Sequence, residues 1–207
     1  SSKHLLGLIN DVLDMSKIES GKLTLREEPF NFTELVADSV ELIRAQADAK
    51  QLELVEQPAV LDNEQVVGDP LRIRQVYLNI LSNAIKYTPA GGRVRIAIKQ
   101  EESTRPGYQR YTFCCEDSGV GMDEAFLARL YLPFERSQDA FSSQIAGTGL
   151  GMAITKNLID LLSGEIQVQS TPGEGSIFTV TLPLRLQETP AEQAPLCWRG
   201  AHALVVD

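Results

Sequence analysis

A chain of 207 residues that is 43% hydrophobic can bury one good core, with room for appended pieces. Its formal net charge of −9 argues against general nucleic-acid binding, which needs a basic footprint, so a bound polyanion must find a locally positive spot. Three cysteines, two of them adjacent (Cys114 and Cys115), make neither a disulfide framework nor a zinc spacing and read as strand thiols of a reducing cytosol.

The chain opens on a helical pattern. Between residues 3 and 19, Leu5, Leu8, Val12 and Met15 recur at 3-4-3 spacing, with Leu6, Ile9 and Leu13 beside them, a wide apolar face suited to a bundle or coiled coil. "GKLTLREEPF" alternates and reads as a strand, with Gly21 stopping the helix. From Phe32 to Ala49, Leu35, Val36, Ser39, Val40, Leu42 and Ile43 keep helical spacing, and "LELVEQ" is a short strand. "GDPLRIRQVYLNILSNAIKYT" is the clearest helix, with Asp69 as N-cap and Pro70 at the first helical position.

"RVRIAIKQ" and "RYTFCCED" follow as a hairpin joined by "EESTRPGY". Residues 122 to 146 are mixed, with one short helix and then the polar stretch "SQDAFSSQIAG", expected to be mobile. A helix is expected from Gly149 to Leu162, then a second hairpin turning at Pro172–Gly175, then a linker over 187–199. The sum is a two-layer α/β sandwich, a mostly antiparallel sheet against three helices. No apolar run approaches the ~18 residues of a membrane span, and no signal peptide opens the chain. The segment is therefore expected to be cytoplasmic and not membrane-spanning. Both ends have the character of interrupted elements, so a piece of a longer protein is expected.

One helix carries an odd stripe. At 100° per residue, Arg72, Gln75, Asn79, Asn83 and Lys86 fall in a strip about 80° wide, and apolar side chains cover the rest. A merely solvated face would carry Glu and Lys rather than two amides. Amides coordinate a hard cation through oxygen, and a lysine one turn on can meet phosphate. On this segment alone the two readings stand level.

Three glycine-bearing stretches add weight. In "EDSGVGM", Asp117 ends a strand and can accept from an exocyclic amine, while Gly119 and Gly121 let a flat ring approach the backbone. In "GTGLGMAI", Gly147, Gly149 and Gly151 lead into a helix whose free amides form an anion site. Gly173 and Gly175 alone read as a hairpin turn. No G-x-x-x-x-G-K-[ST] occurs, and Gly147-x-Gly149-x-Gly151 follows a polar loop rather than a strand, against a P-loop and a dinucleotide fold respectively.

Taken in order, "NILSNAIKYT", "DSGVG", "LPFER", "GTGLG" and "GEGSIF" resemble the N, first glycine, F, second glycine and third glycine boxes of sensor histidine kinases. The resemblance runs from about residue 3 to 186. It implies the ATP-binding fold shared with gyrases, mismatch-repair ATPases and heat-shock chaperones, preceded by part of a dimerisation helix. It implies that Asn83, with Asn79, holds Mg²⁺, that Lys86 contacts phosphate and that Tyr87 flanks the nucleotide. Asp117 would bind the adenine amino group, with Gly119, Gly121 and Met122 at the adenine pocket. Arg136 would reach the terminal phosphate. Gly147 and Thr148 would belong to the phosphate loop, with amides of Gly149, Leu150 and Gly151 cradling phosphates and 135–147 as the lid.

In the related ATPases a Glu that activates water stands four positions before the metal Asn, and here that position is Asn79, which takes no proton at neutral pH. A neutral imidazole nucleophile needs far less help than water, so Asn79 favours transfer to histidine over hydrolysis. The family's acceptor motif, His-Glu-x-Arg-Thr-Pro, is absent. His4 matches the second hairpin helix, where a histidine is incidental, and His202 lies in the tail. The expected division is therefore 1–22, the end of the dimerisation and phosphoacceptor hairpin; 23–186, the catalytic domain; 187–199, a linker; and 200–207. This last stretch resembles the first strand of a receiver domain, with Asp207 its first acidic residue. The implied partners are the phosphoacceptor hairpin of the same protein, a receiver with an acceptor aspartate, and a second copy in a homodimer. The competing readings are a degenerate nucleotide-binding module and a stand-alone ATPase.

Overall fold

Two of the long helices start at a side chain, Asn31 or Asp69, that the sequence supplies at the right place. The computed structural model describes residues 2–59, 61–135 and 147–188. Helix α1 spans Ser2–Glu19, and strand β1 (Glu28–Asn31) runs directly into helix α2 (Phe32–Ala49). Asn31 makes that switch, its side chain accepting from the Glu34 N–H at 3.0 Å as an N-cap. Strands β2 (Glu53–Glu56) and β3 (Gln65–Gly68) precede helix α3 (Pro70–Tyr87). Asp69 caps α3 by accepting from the Arg72 N–H at 3.1 Å, and its other oxygen accepts from the Arg26 N–H at 3.0 Å. Pro70 stands at the start of the helix, where its missing N–H costs nothing. Strands β4 (Arg93–Glu102) and β5 (Tyr108–Asp117), the short helix α4 (Glu124–Leu127), helix α5 (Gly151–Leu161) and strands β6 (Glu165–Thr171) and β7 (Gly175–Leu186) complete the described chain.

Among the described residues the sheet has seven strands, in the order β1-β3-β7-β5-β4-β2, with β6 also paired to β7. All pairings are antiparallel except β2 with β4. Alternation separates the two faces. Val94 and Ile96 of β4, Tyr111, Phe113 and Cys115 of β5, and Phe178, Val180 and Leu182 of β7 are buried under the helices. Arg95 and Glu116, one position off that pattern, form an ion pair at 2.8 Å on the other face. An aromatic chain ties the layers together. Tyr77 of α3 stacks on Phe113 at 4.2 Å between centroids, and Phe32 of α2 packs on Tyr111 at 4.7 Å. The two-layer α/β sandwich expected from the sequence is the fold observed.

Three details differ from the sequence reading. The strand expected over "GKLTLREEPF" is confined to its end, because residues 22–27 take no place in the ladder and Arg26 donates its N–H to the Asp69 side chain instead. β3 was not anticipated, being only four residues between a polar stretch and a helix cap. Leu42 keeps the helical spacing but faces solvent. Arg136, the lid over 136–146, His202, the linker from 189 and the candidate receiver strand lie outside the described residues. Among the described residues no helix is long and apolar enough to cross a membrane.

Candidate functional site

Helix α3 is buried on most of its circumference, through Ile73, Val76, Tyr77, Ile80, Leu81, Ala84 and Ile85. The stripe left over splits in two. Arg72 and Gln75 turn toward α1, where Arg72 Nη1 reaches the Asp14 carboxylate at 3.3 Å and Gln75 Nε2 donates to it at 2.9 Å. Asn79, Asn83 and Lys86 instead line a cavity of about 490 Å³, with Tyr87 beside them. Asn79 is oriented by its amide nitrogen, which donates to the Gly151 carbonyl at 3.3 Å and to Thr155 Oγ1 at 3.2 Å. That commits the nitrogen to α5 and leaves the amide oxygen as the group a cation would use.

Across the cavity stands Asp117, the last residue of β5 and only 6% exposed. Its carboxylate accepts from the Gly119 N–H at 2.9 Å and from the Ser176 N–H. Burial outweighs these bonds and pushes the carboxyl up to about 6. The third glycine stretch, read from sequence as a turn, fixes this residue. Gly175 has φ +108°, and a Cβ there would lie 1.9 Å from the Asp117 carbonyl oxygen. Only glycine lets β7 begin so close to the end of β5.

The loop before α5 forms the third wall, through Gly147, Thr148, Gly149 and Gly151. Gly149 has φ +72° and its carbonyl accepts from the Phe134 N–H at 2.9 Å, so this loop is joined to the "LPFER" stretch. The helix starts at Gly151, two residues later than the spacing indicated. Leu150 turns its side chain into the core, and its N–H is taken by Thr148 Oγ1 at 3.1 Å. Gly121 and Met122 line the cavity, whereas Gly119 sits behind it, its N–H on Asp117.

Sequence reasoning missed one polar contributor. Gly7 and Asp11 of α1 also line the cavity, and Thr148 donates its hydroxyl to Asp11 Oδ2 at 3.2 Å. Asp11 feels the Lys86 charge, and burial holds its carboxyl above the ordinary range. Phe126 and Leu130 line the cavity from outside every motif, while Glu135 of "LPFER" and Ser176 and Phe178 of "GEGSIF" line it without having been given a role. Among the described residues no group of three or more His, Cys, Asp or Glu side chains could hold a metal.

The chain is similar to known proteins in both sequence and fold. The sequence model of the histidine kinase-, DNA gyrase B-, and HSP90-like ATPases matches residues 68–186. The chain is 42% identical over 195 residues to the sensor histidine kinase GacS of Pseudomonas protegens, covering 94% of this chain and 21% of that protein. It thus spans about a fifth of that relative's length. The histidine kinase AdeS of Acinetobacter baumannii superposes with a TM-score of 0.68 at 26% identity, over 90% of this chain and 81% of that one. Full-length ShkA in complex with AMPPNP superposes with a TM-score of 0.72 at 27% identity, over 93% of this chain and 38% of that one.

Proposed function

The chain belongs to the histidine kinase-, DNA gyrase B-, and HSP90-like ATPase family, and from that premise we propose that it is the Mg·ATP-binding catalytic domain of a hybrid sensor histidine kinase. The observation that carries the reading is the pairing of Asp117 with the Asn79, Asn83 and Lys86 row across one cavity. Adenine requires a buried acceptor for its amino group, and a triphosphate with its metal requires amide oxygens and a cation. Both sets line the same 490 Å³ space.

In this reading Asp117 accepts from the exocyclic amine, with Gly121 and Met122 against the ring and Gly119 holding the carboxylate. Asn83 and Asn79 offer amide oxygens to Mg²⁺, Lys86 faces the phosphates, and Tyr87 flanks the nucleotide. Gly147, Thr148, Gly149 and Gly151 form the phosphate loop, Leu150 anchors it in the core, and Arg136 reaches the terminal phosphate. Bound Mg·ATP supplies the phosphoryl group for transfer to a histidine outside this segment. Asn79 cannot act as a base for water, so the site is set for transfer rather than hydrolysis.

The division at 22, 186 and 199 follows from the same reading. Residues 1–22 close the dimerisation and phosphoacceptor hairpin, and 200–207 enter a receiver domain whose aspartate takes the phosphate next. The part-exposed Ile9, Val12 and Leu13 of α1 suit a helical partner in a homodimer. The domain works in the cytoplasm.

Calorimetric titration with a non-hydrolysable ATP analogue, with and without Mg²⁺, beside Asp117→Asn, tests the site. Magnesium-assisted binding that the variant loses is expected. No binding by either protein would sink the proposal. Phosphoryl transfer to an added histidine-bearing hairpin then tests the reaction.

A further inference from the structure

At the C-terminal end of helix α3 the carbonyls of Ile85, Lys86, Tyr87 and the cap residue Thr88 have no later turn to satisfy them. The Ala84 carbonyl accepts from the Thr88 N–H at 3.1 Å and from Thr88 Oγ1 at 2.6 Å, and the Tyr87 carbonyl accepts from the Val120 N–H at 3.2 Å. The two between them are held from a different helix. Lys50, just past the end of α2, places its Nζ 2.7 Å from the Ile85 carbonyl and 2.9 Å from the Lys86 carbonyl. The same atom lies 2.8 Å from the Thr88 carbonyl.

We infer that Lys50 is a positioning residue of the nucleotide site: its ammonium fixes the last turn of α3, and so sets Lys86 and Tyr87 against Asp117. The inference rests on the nucleotide reading above. Lys50 does not line the cavity, yet two of the carbonyls it holds flank Tyr87, and one belongs to Lys86. The Tyr87 carbonyl in turn holds Val120, between Gly119 and Gly121 of the loop that follows Asp117. One cation therefore governs the distance between the phosphate side and the adenine side of the cavity.

The geometry needs a lysine. An ammonium is a compact point donor on which three carbonyls can converge, and a positive charge suits the negative end of a helix. Burial pulls its pKa down, the mark of a cation held partly out of water. A planar guanidinium keeps the charge but spreads its donors into a fork that cannot meet three carbonyls at one point.

The test uses Lys50→Met and Lys50→Arg, titrated with ADP and with adenosine at a temperature where circular dichroism shows both folded. ADP affinity is expected to fall about tenfold in Lys50→Met and less in Lys50→Arg, with adenosine affinity changing less than ADP affinity. Amide exchange at Thr88 and Val120 is expected to quicken about tenfold in Lys50→Met. A purely stabilising lysine would lower the unfolding midpoint and leave the affinity of folded protein untouched; wild-type ADP affinity in the folded variants overturns the inference. If Lys50→Met does not fold, Lys50→Arg decides on the same readouts. If wild-type protein binds no nucleotide, the nucleotide reading fails, and unchanged exchange at Thr88 and Val120 in the variants separately overturns the role of Lys50.

Discussion

Thr148 donates its hydroxyl to Asp11 across 3.2 Å, joining the loop before α5 to a helix 137 positions earlier. The carboxylate lies in the Lys86 field and beside the glycine loop, where a nucleotide would put its phosphates. Asp11→Asn removes that negative charge and keeps an oxygen for Thr148. ADP affinity without Mg²⁺ is expected to rise roughly threefold to tenfold, while adenosine affinity stays constant. Isothermal titration of both ligands at pH 7.5 measures it, and a fall in ADP affinity would contradict it.

Asp117 is expected to couple both stability and nucleotide binding to pH. Its folded carboxyl titrates at about 6, above the ordinary 3.8, so the unfolded chain holds fewer protons between these values. Ionised Asp117 therefore costs stability above pH 6, and the cost is relieved as pH falls toward 4. Asp117→Asn is expected to unfold about 1–3 kcal/mol less readily than wild type at pH 7.5, the gap narrowing to about a third by pH 4.5. Adenosine affinity of wild type falls as pH drops through 6, because a neutral carboxyl accepts less well from an amine. Urea unfolding and titrations at both pH values check the two signs.

Gly175→Ala forces a methyl into the Asp117 carbonyl at a φ that favours glycine. The expected cost is about 3 kcal/mol of stability together with loss of nucleotide binding. Denaturation and titration of the same sample report both.

Tyr77 stacks its ring on Phe113 and buries its hydroxyl with no hydrogen-bond partner among the described residues. Tyr77→Phe keeps the stacked ring and removes an unsatisfied oxygen, so stability is expected to stay level or rise by about 1 kcal/mol. A loss above 1 kcal/mol in urea unfolding would show that the hydroxyl has a partner.

What the sequence discloses and what it conceals divide along the range of the interactions. The bounds of α2 and α3 were legible because Asn31 and Asp69 cap them locally, and Pro70 allows no earlier start. The row of Asn79, Asn83 and Lys86 was legible because helical spacing alone puts them on one line. Asp11 was not, since nothing within α1 distinguishes it from Asp14, and the fold alone sends one to Thr148 and the other to Arg72 and Gln75. Gly175 looked like a turn residue because its constraint comes from β5, a different strand. Leu150 is expected from the sequence to offer its amide, but the hydroxyl of Thr148, two residues earlier, already takes it, a local bond that the glycine spacing hides.

Helix α1 supplies part of the cavity wall without belonging to the sandwich that supplies the rest. Affinity for a ligand in that space and the docking of α1 are then two faces of one equilibrium, and linkage makes their influence mutual. A pull that lifts α1 away and alters affinity by some factor implies that the ligand biases the position of α1 by the same factor. The cavity can thus report on the helix, and the helix on the cavity, with no further moving part between them.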